Sequence, residues 1–315
     1  RYLTKNRKII FELTINQKSI IIWLDLIKLI KKMIVWERKE SNLANLKREN
    51  LQIDIAGIRL IQHIEAKKSI LNFIGLKVIE IDENSTFKES LEGQEACITV
   101  VCGKANVKVN ENEFNDIGRR EHNFDRNPTD SVYVSNKDSF EISSNSKARV
   151  VISYAITDKQ MKSQIIKAED NTTEKRGKGM NKRLVNNILP DSSKISDKLI
   201  VVEVYTDEAN WSSYPPHKHD TASKTETYLE EIYYHEMDKE QGFVYQRVYT
   251  DDRTLDETMS VYNKEAVLVP RGYHPVAVPY GYNSYYLNVM AGPNKEWKFK
   301  NEKDHEWIIE REDVQ

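Results

Sequence analysis

The chain has 315 residues, enough for one large or two medium domains with a real buried core. A net charge of -2 and a pI near 6.5 exclude an electrostatic nucleic-acid binder, which needs a clear basic surplus. Small anionic substrates stay open, because one or two well-placed Arg or Lys side chains suffice for a carboxylate.

Residues 1–42 are rich in Ile, Lys and Leu, helical in period, and free of Gly and Pro. The apolar run at 19–35 carries Asp25 and three lysines, too polar and too short to span a bilayer, so no membrane span is expected. No signal peptide is visible. Three readings of this extension stay open: a helix packed on its own domain, an amphipathic helix lying on another surface, or a segment outside the functional protein. The third arises because the chain starts at Arg1 and Met33 offers an internal start.

From about Gly75 to Thr157 the texture changes to short β-like runs at 76–81, 96–102, 105–109, 131–134 and 148–156. No helical pattern lies between them, which points to an antiparallel sandwich or barrel. Cys97 and Cys102 lie five apart in one of these runs. That odd offset places them on opposite strand faces, so both are expected to be reduced, buried hydrophobes in a cytoplasmic protein. A polar, charged stretch from Lys159 to Lys182 reads as the linker. After it the β texture returns at 199–205, 231–235, 243–249, 265–269 and 284–290. The chain is therefore read as all-β, with an N-terminal extension (1–42) and two copies of one β architecture (43–160 and 161–315). Four of the seven histidines fall within 58 residues of the second copy, whereas the β runs of the first hold only His122, which lacks a partner at i+2 (His63 lies just ahead of them).

Pro215-Pro-His-Lys-His-Asp220 is the chemical centre. Histidines at i and i+2 on an extended segment share a face, so His217 and His219 can reach one metal ion, and the two prolines stiffen the approach. Alone, such a pair is more often solvated than ligating. A Glu-bearing strand around Glu231 and a third His at Val269-Pro-Arg-Gly-Tyr-His-Pro275 strengthen the metal reading. Two His, a carboxylate and His274 would leave positions open for substrate oxygens.

The His217-x-His219 pair, a downstream Glu, Gly242-Phe243 and Pro270-x-x-x-His274 resemble the two half-motifs of the cupin fold. More closely, the stretches 210–220, Gln246-Arg-Val-Tyr249, 269–275 and 285–293 are similar to the 5-deoxy-glucuronate isomerases of myo-inositol catabolism, as are 128–134, 176–183 and 187–190. The resemblance runs from about residue 43 to the C-terminus and leaves out the first 42. It implies a bicupin of two antiparallel β-barrels of the double-stranded β-helix type, with the second alone catalytic. It further implies conversion of 5-deoxy-glucuronate, an aldose acid, to 2-deoxy-5-keto-gluconate, a ketose acid. The ligands to one divalent ion (Zn, Mn or Fe) would be His217, His219, Glu231 and His274.

Glu226 follows His219 after six intervening residues and Glu231 after eleven, both beyond the usual cupin spacing. Glu231 is preferred because it opens a strand, as in the related 4-deoxy-uronate isomerases. Glu230 lies on the opposite strand face, and His235 shares the face of Glu231 as a reserve ligand. Arg247 is the first candidate for the substrate carboxylate, with Arg271 and Arg183 as alternatives and Gln246 beside it. Asp220, Glu230, Lys218 and Tyr286 are candidates for proton transfer, although Lys218 alternates away from the histidines. Tyr285 and Tyr286 occupy opposite faces of one strand, and Trp211 and Trp297 read as structural. The first barrel is expected to be metal-free and to serve packing or contacts in a homo-oligomer. Two other classes compete: an Fe(II) cupin dioxygenase, and a non-catalytic sugar-acid-binding bicupin.

Overall fold

Alternation of inward and outward residues along each strand decides the architecture. The computed structural model describes residues 45–311, which form β-strands and short 3-10 turns. The expected helix over residues 1–42 lies outside the described residues. Among the described residues, no helix is long and apolar enough to cross a membrane.

In the second half, one antiparallel sheet runs in the order Lys47–Arg48, Ala266–Val269, Glu230–Met237, Ser284–Ala291, Ile200–Thr206, Arg183–Leu189, Thr172–Arg176. A second sheet of Trp211–Ser212, Val276–Ala277, Phe243–Tyr249 and Asp256–Tyr262 faces it and closes a barrel. Ile200, Val202 and Val204 join Val185, Tyr233, Val267, Val276, Tyr286 and Met290 in the barrel interior. Val201 and Tyr205, one residue out of phase, join Leu199, Ile232, Tyr234, Leu268, Tyr285 and Leu287 on the outer face, where they meet Leu76, Val78, Tyr133 and Val151 of the first half. The first half has its own barrel interior, built from Ile79, Ile98, Val100, Val107, Val132, Ile142, Val150 and Ile152. Strands buried on both faces explain why these segments read as near-continuous apolar runs.

Two features depart from the sequence reading. The runs at 96–102 and 105–109 are one strand, Gln94–Val109, whose register shifts past Gly103, so it bends from one sheet into the other. The expected linker contains two strands: Gln164–Ile166 pairs with Ser131–Val134, and Thr172–Arg176 pairs with Arg183–Leu189. Its charged composition belongs to an exposed sheet edge, where polar side chains guard against further pairing. Lys47–Arg48 crosses to the second barrel's sheet, so each sheet takes a strand from across the 160/161 boundary. Both cysteines are free, with Cys97 buried and Cys102 only half-buried.

Candidate metal centre

Three side chains converge inside the second barrel from three separate segments. His219 Nε2 lies 2.9 Å and His274 Nε2 lies 3.0 Å from the same Glu231 oxygen, Oε2. All three residues are buried, and their ligand atoms lie within 4.8 Å of one another. Among the described residues, this is the single such cluster of His, Cys, Asp and Glu.

The outer ring nitrogens set the tautomers. His219 Nδ1 faces the Leu229 carbonyl at 3.0 Å, and His274 Nδ1 faces the Gly272 carbonyl at 2.8 Å. A carbonyl only accepts, so each Nδ1 carries the hydrogen and each Nε2 presents its lone pair to the carboxylate. Two lone pairs and an anionic oxygen in such proximity require a proton or a cation among them. His274 Nε2 makes no hydrogen bond although it is buried. The donor set, two imidazoles and one carboxylate, suits a divalent ion such as Zn, Mn or Fe.

Electrostatics agree with that demand for positive charge. Burial disfavours protonated His219, but the Glu231 hydrogen bond and charge outweigh it and raise its pKa. Burial likewise disfavours the Glu231 carboxylate, yet the two histidines hold it well below the usual carboxylate range. Asn288 donates to the other Glu231 oxygen. Asn288 was not singled out from the sequence, although its even offset from Tyr286 places both on one strand face.

His217 stands beside this cluster. Its ring lies 4.9 Å from His274, 6.3 Å from His219 and 4.7 Å from Phe299, which packs against it from the C-terminal segment. Burial, and then the neighbouring histidines, hold its pKa well below the ordinary value.

The other carboxylates have different tasks. Glu230 faces the first half, where it accepts from the Asn72 and Phe73 amides at 2.8–2.9 Å. Glu226 accepts from the Asp220 and Thr221 amides. Asp220 bonds to Lys218 Nζ and to the Gly272 amide, away from the cluster. Lys218 is buried among Asp220, Glu226 and Asp251.

The arginines sort by strand face. Val244, Gln246 and Val248 point into the barrel, so Arg247 points out, paired to Asp256 at 2.7 Å and stacked 4.1 Å from the Tyr249 ring centre. The preferred carboxylate partner from the sequence is thus placed outside the barrel. Arg271 is exposed in its turn. Arg183 shares the inward face of Val185, and among the described residues its guanidinium bonds to the Asn181 carbonyl and side-chain oxygen. Among the described residues it has no carboxylate partner. Burial, reinforced by the Arg176 charge, lowers its pKa despite an opposing contribution from Tyr286.

Tyr286 faces inward and Tyr285 outward. The Tyr286 ring lies 4.7 Å from Tyr233, whose hydroxyl is 2.9 Å from Ser213 Oγ. Trp211 is partly exposed and Trp297 packs against the barrel core.

The profile of the KduI/IolB family matches residues 48–308. The chain belongs to the KduI/IolB family. A 5-deoxy-glucuronate isomerase of Bacillus subtilis (strain 168) is 55% identical over 256 residues, covering 81% of this chain and 94% of that protein. One from Listeria monocytogenes is 50% identical over 273 residues, covering 86% of this chain and all of that protein. An IolB-like protein of Salmonella typhimurium LT2 superposes with a TM-score of 0.80 at 43% identity, over 84% of this chain and 99% of that one. Bacillus subtilis oxalate decarboxylase, which has Mn(II) centres, superposes with a TM-score of 0.57 over 82% of this chain and 80% of that one. At 11% identity that likeness carries the fold alone, which it shares with this KduI/IolB member as a pair of cupin barrels.

Proposed function

We propose that the chain is a cytoplasmic aldose–ketose isomerase converting 5-deoxy-glucuronate to 2-deoxy-5-keto-gluconate. The observation that carries this is the buried His219–Glu231–His274 cluster in a chain 50–55% identical to 5-deoxy-glucuronate isomerases. These three residues, with His217 beside them, would hold one divalent ion. Such an ion polarises a carbonyl and acidifies the neighbouring hydroxyl.

The chain's own groups do the rest. Arg183, inward-facing and without an acidic partner among the described residues, takes the substrate carboxylate in a bidentate fork, so it replaces Arg247 in that role. Burial raises the pKa of both Tyr233 and Tyr286, which keeps the phenols protonated at neutral pH. They therefore act as hydrogen-bond donors to substrate oxygens, with Tyr286 holding its proton at the hydroxyl through the hydrogen transfer from C2 to C1.

The test follows 5-deoxy-glucuronate by NMR with metal-loaded protein, and the ketose product is expected. Arg183→Met should lower kcat/KM about tenfold to a hundredfold, the scale of one charge-assisted contact, whereas Arg247→Met should leave it within about threefold. No turnover by protein shown to hold metal would overturn the assignment.

A further inference from the structure

The strand Glu230–Met237 carries Glu231, Tyr233 and His235 into the barrel at two-residue intervals. Its inner face thus passes from a metal-cluster carboxylate to a phenol and then to an imidazole. His235 is fully buried, stacks on Tyr233 with ring centres 5.8 Å apart, and lies 5.6 Å from the Tyr286 ring. Its Nε2 is 3.0 Å from Oε1 of Gln246, which is also fully buried, on the facing strand Phe243–Tyr249. The two remaining polar atoms, His235 Nδ1 and Gln246 Nε2, are buried without a hydrogen-bond partner among the described residues.

Burial lowers the His235 pKa to about 4, against a weaker opposing effect of the Gln246 bond, so the imidazole is neutral at neutral pH. If Nε2–H donates to the amide oxygen, Nδ1 is left as an acceptor and the amide nitrogen as a donor. Turning the amide over leaves an Nδ1–H donor and an amide-oxygen acceptor. Either way each residue keeps one unmet atom, a donor on one and an acceptor on the other, and the diverging ring nitrogens hold the two apart. A carboxylate serves only the donor and a methylene serves neither. A hydroxyl serves at either, so two hydroxyls meet the pair.

We propose that the His235–Gln246 pair is a recognition site for the hydroxyls of the sugar-acid chain on the carbons between the C1–C2 end and the carboxylate, each residue meeting one. This rests on the isomerase function proposed above and adds a binding role to two residues outside the metal cluster. Leaving either atom unmet in the buried barrel is unfavourable, so a substrate lacking the hydroxyl that meets it is disfavoured.

The experiment uses the full-length, metal-loaded chain on 5-deoxy-glucuronate and on the 3,5-dideoxy and 4,5-dideoxy acids. The wild type should favour the parent over each analogue by about tenfold to a hundredfold in kcat/KM. Gln246→Leu should lose a similar factor on the parent and almost nothing on one analogue, and His235→Phe, which keeps the aromatic stack, should do the same with the other. An equal loss on all three substrates, or wild-type turnover of both analogues as fast as the parent, overturns the proposal. The wild-type series decides by itself if either variant fails to fold. Failure to turn over the parent acid would instead overturn the isomerase assignment, and the hydroxyl site with it.

Discussion

One oxygen of Asp220 accepts from Lys218 Nζ at 2.8 Å and the other accepts from the Gly272 amide at 2.9 Å. Gly272 in turn offers its carbonyl to His274 Nδ1, so one carboxylate ties the His217–His219 segment to the turn that orients the third histidine. Gly272 has a φ of +94°, and a Cβ there would lie 2.4 Å from the Tyr249 carbonyl oxygen, so the turn has little freedom of its own. We therefore propose Asp220 as a positioning residue rather than a proton carrier. Asp220→Ala is expected to weaken metal binding about tenfold to a hundredfold, the usual effect of losing a group that orients a ligand. At saturating metal, kcat should recover to within about tenfold, whereas loss of a general acid or base would leave a deficit of about 10²–10⁴. Calorimetric metal titration with kinetics at graded metal concentration separates the two. A full deficit at saturating metal would restore Asp220 to the chemistry.

At the level of the strand, a period of two does most of the sorting. Glu230 and Glu231 are adjacent in sequence, yet one serves the seam between the halves and the other the candidate metal cluster. Glu231→Gln should abolish tight metal binding while the fold persists. Glu230→Gln should retain metal but lower stability by about 1–3 kcal/mol, because the Asn72 and Phe73 amides lose a charged acceptor. Chemical denaturation and metal analysis of both variants test this, and equal metal loss in the two would contradict it. The same alternation was legible around Arg247: Val244 and Val248 share the face of Gln246, which leaves Arg247 with exposed Tyr245. The guanidinium of Arg247 suits a carboxylate chemically, but strand phase decides where it points. The two strands inside the expected linker were not legible, because Thr172–Arg176 is an edge whose composition carries no apolar signal.

Across the whole molecule, local pattern reached the pair of barrels but not the contacts that join them. Arg183 and Asn181 lie far in sequence from His217 and Tyr286, and only closure of the barrel brings this guanidinium near the site. The seam between the barrels is similarly non-local. Arg120 of the strand Asn112–Arg120 meets Glu203 at 2.7 Å, with both side chains fully buried, and Tyr285 donates to the same Glu203 oxygen at 2.8 Å. Around them Leu76, Val78, Leu268, Leu287 and Val289 form a continuous apolar layer, so water cannot relieve a charge left alone. Arg120→Met should therefore lower the unfolding free energy by about 3–5 kcal/mol, the scale for stranding one member of a buried ion pair. Adding Glu203→Leu removes the stranded charge and should recover more than half of that loss, since a well-packed apolar pair often matches a buried ionic one. Urea denaturation of the wild type, the single and the double variant measures both quantities. A single-variant loss under about 1 kcal/mol would mean that water reaches the seam. Failure of the double variant to recover would mean that the pair contributes through the hydroxyl network of Tyr205 and Tyr285 more than through its charges.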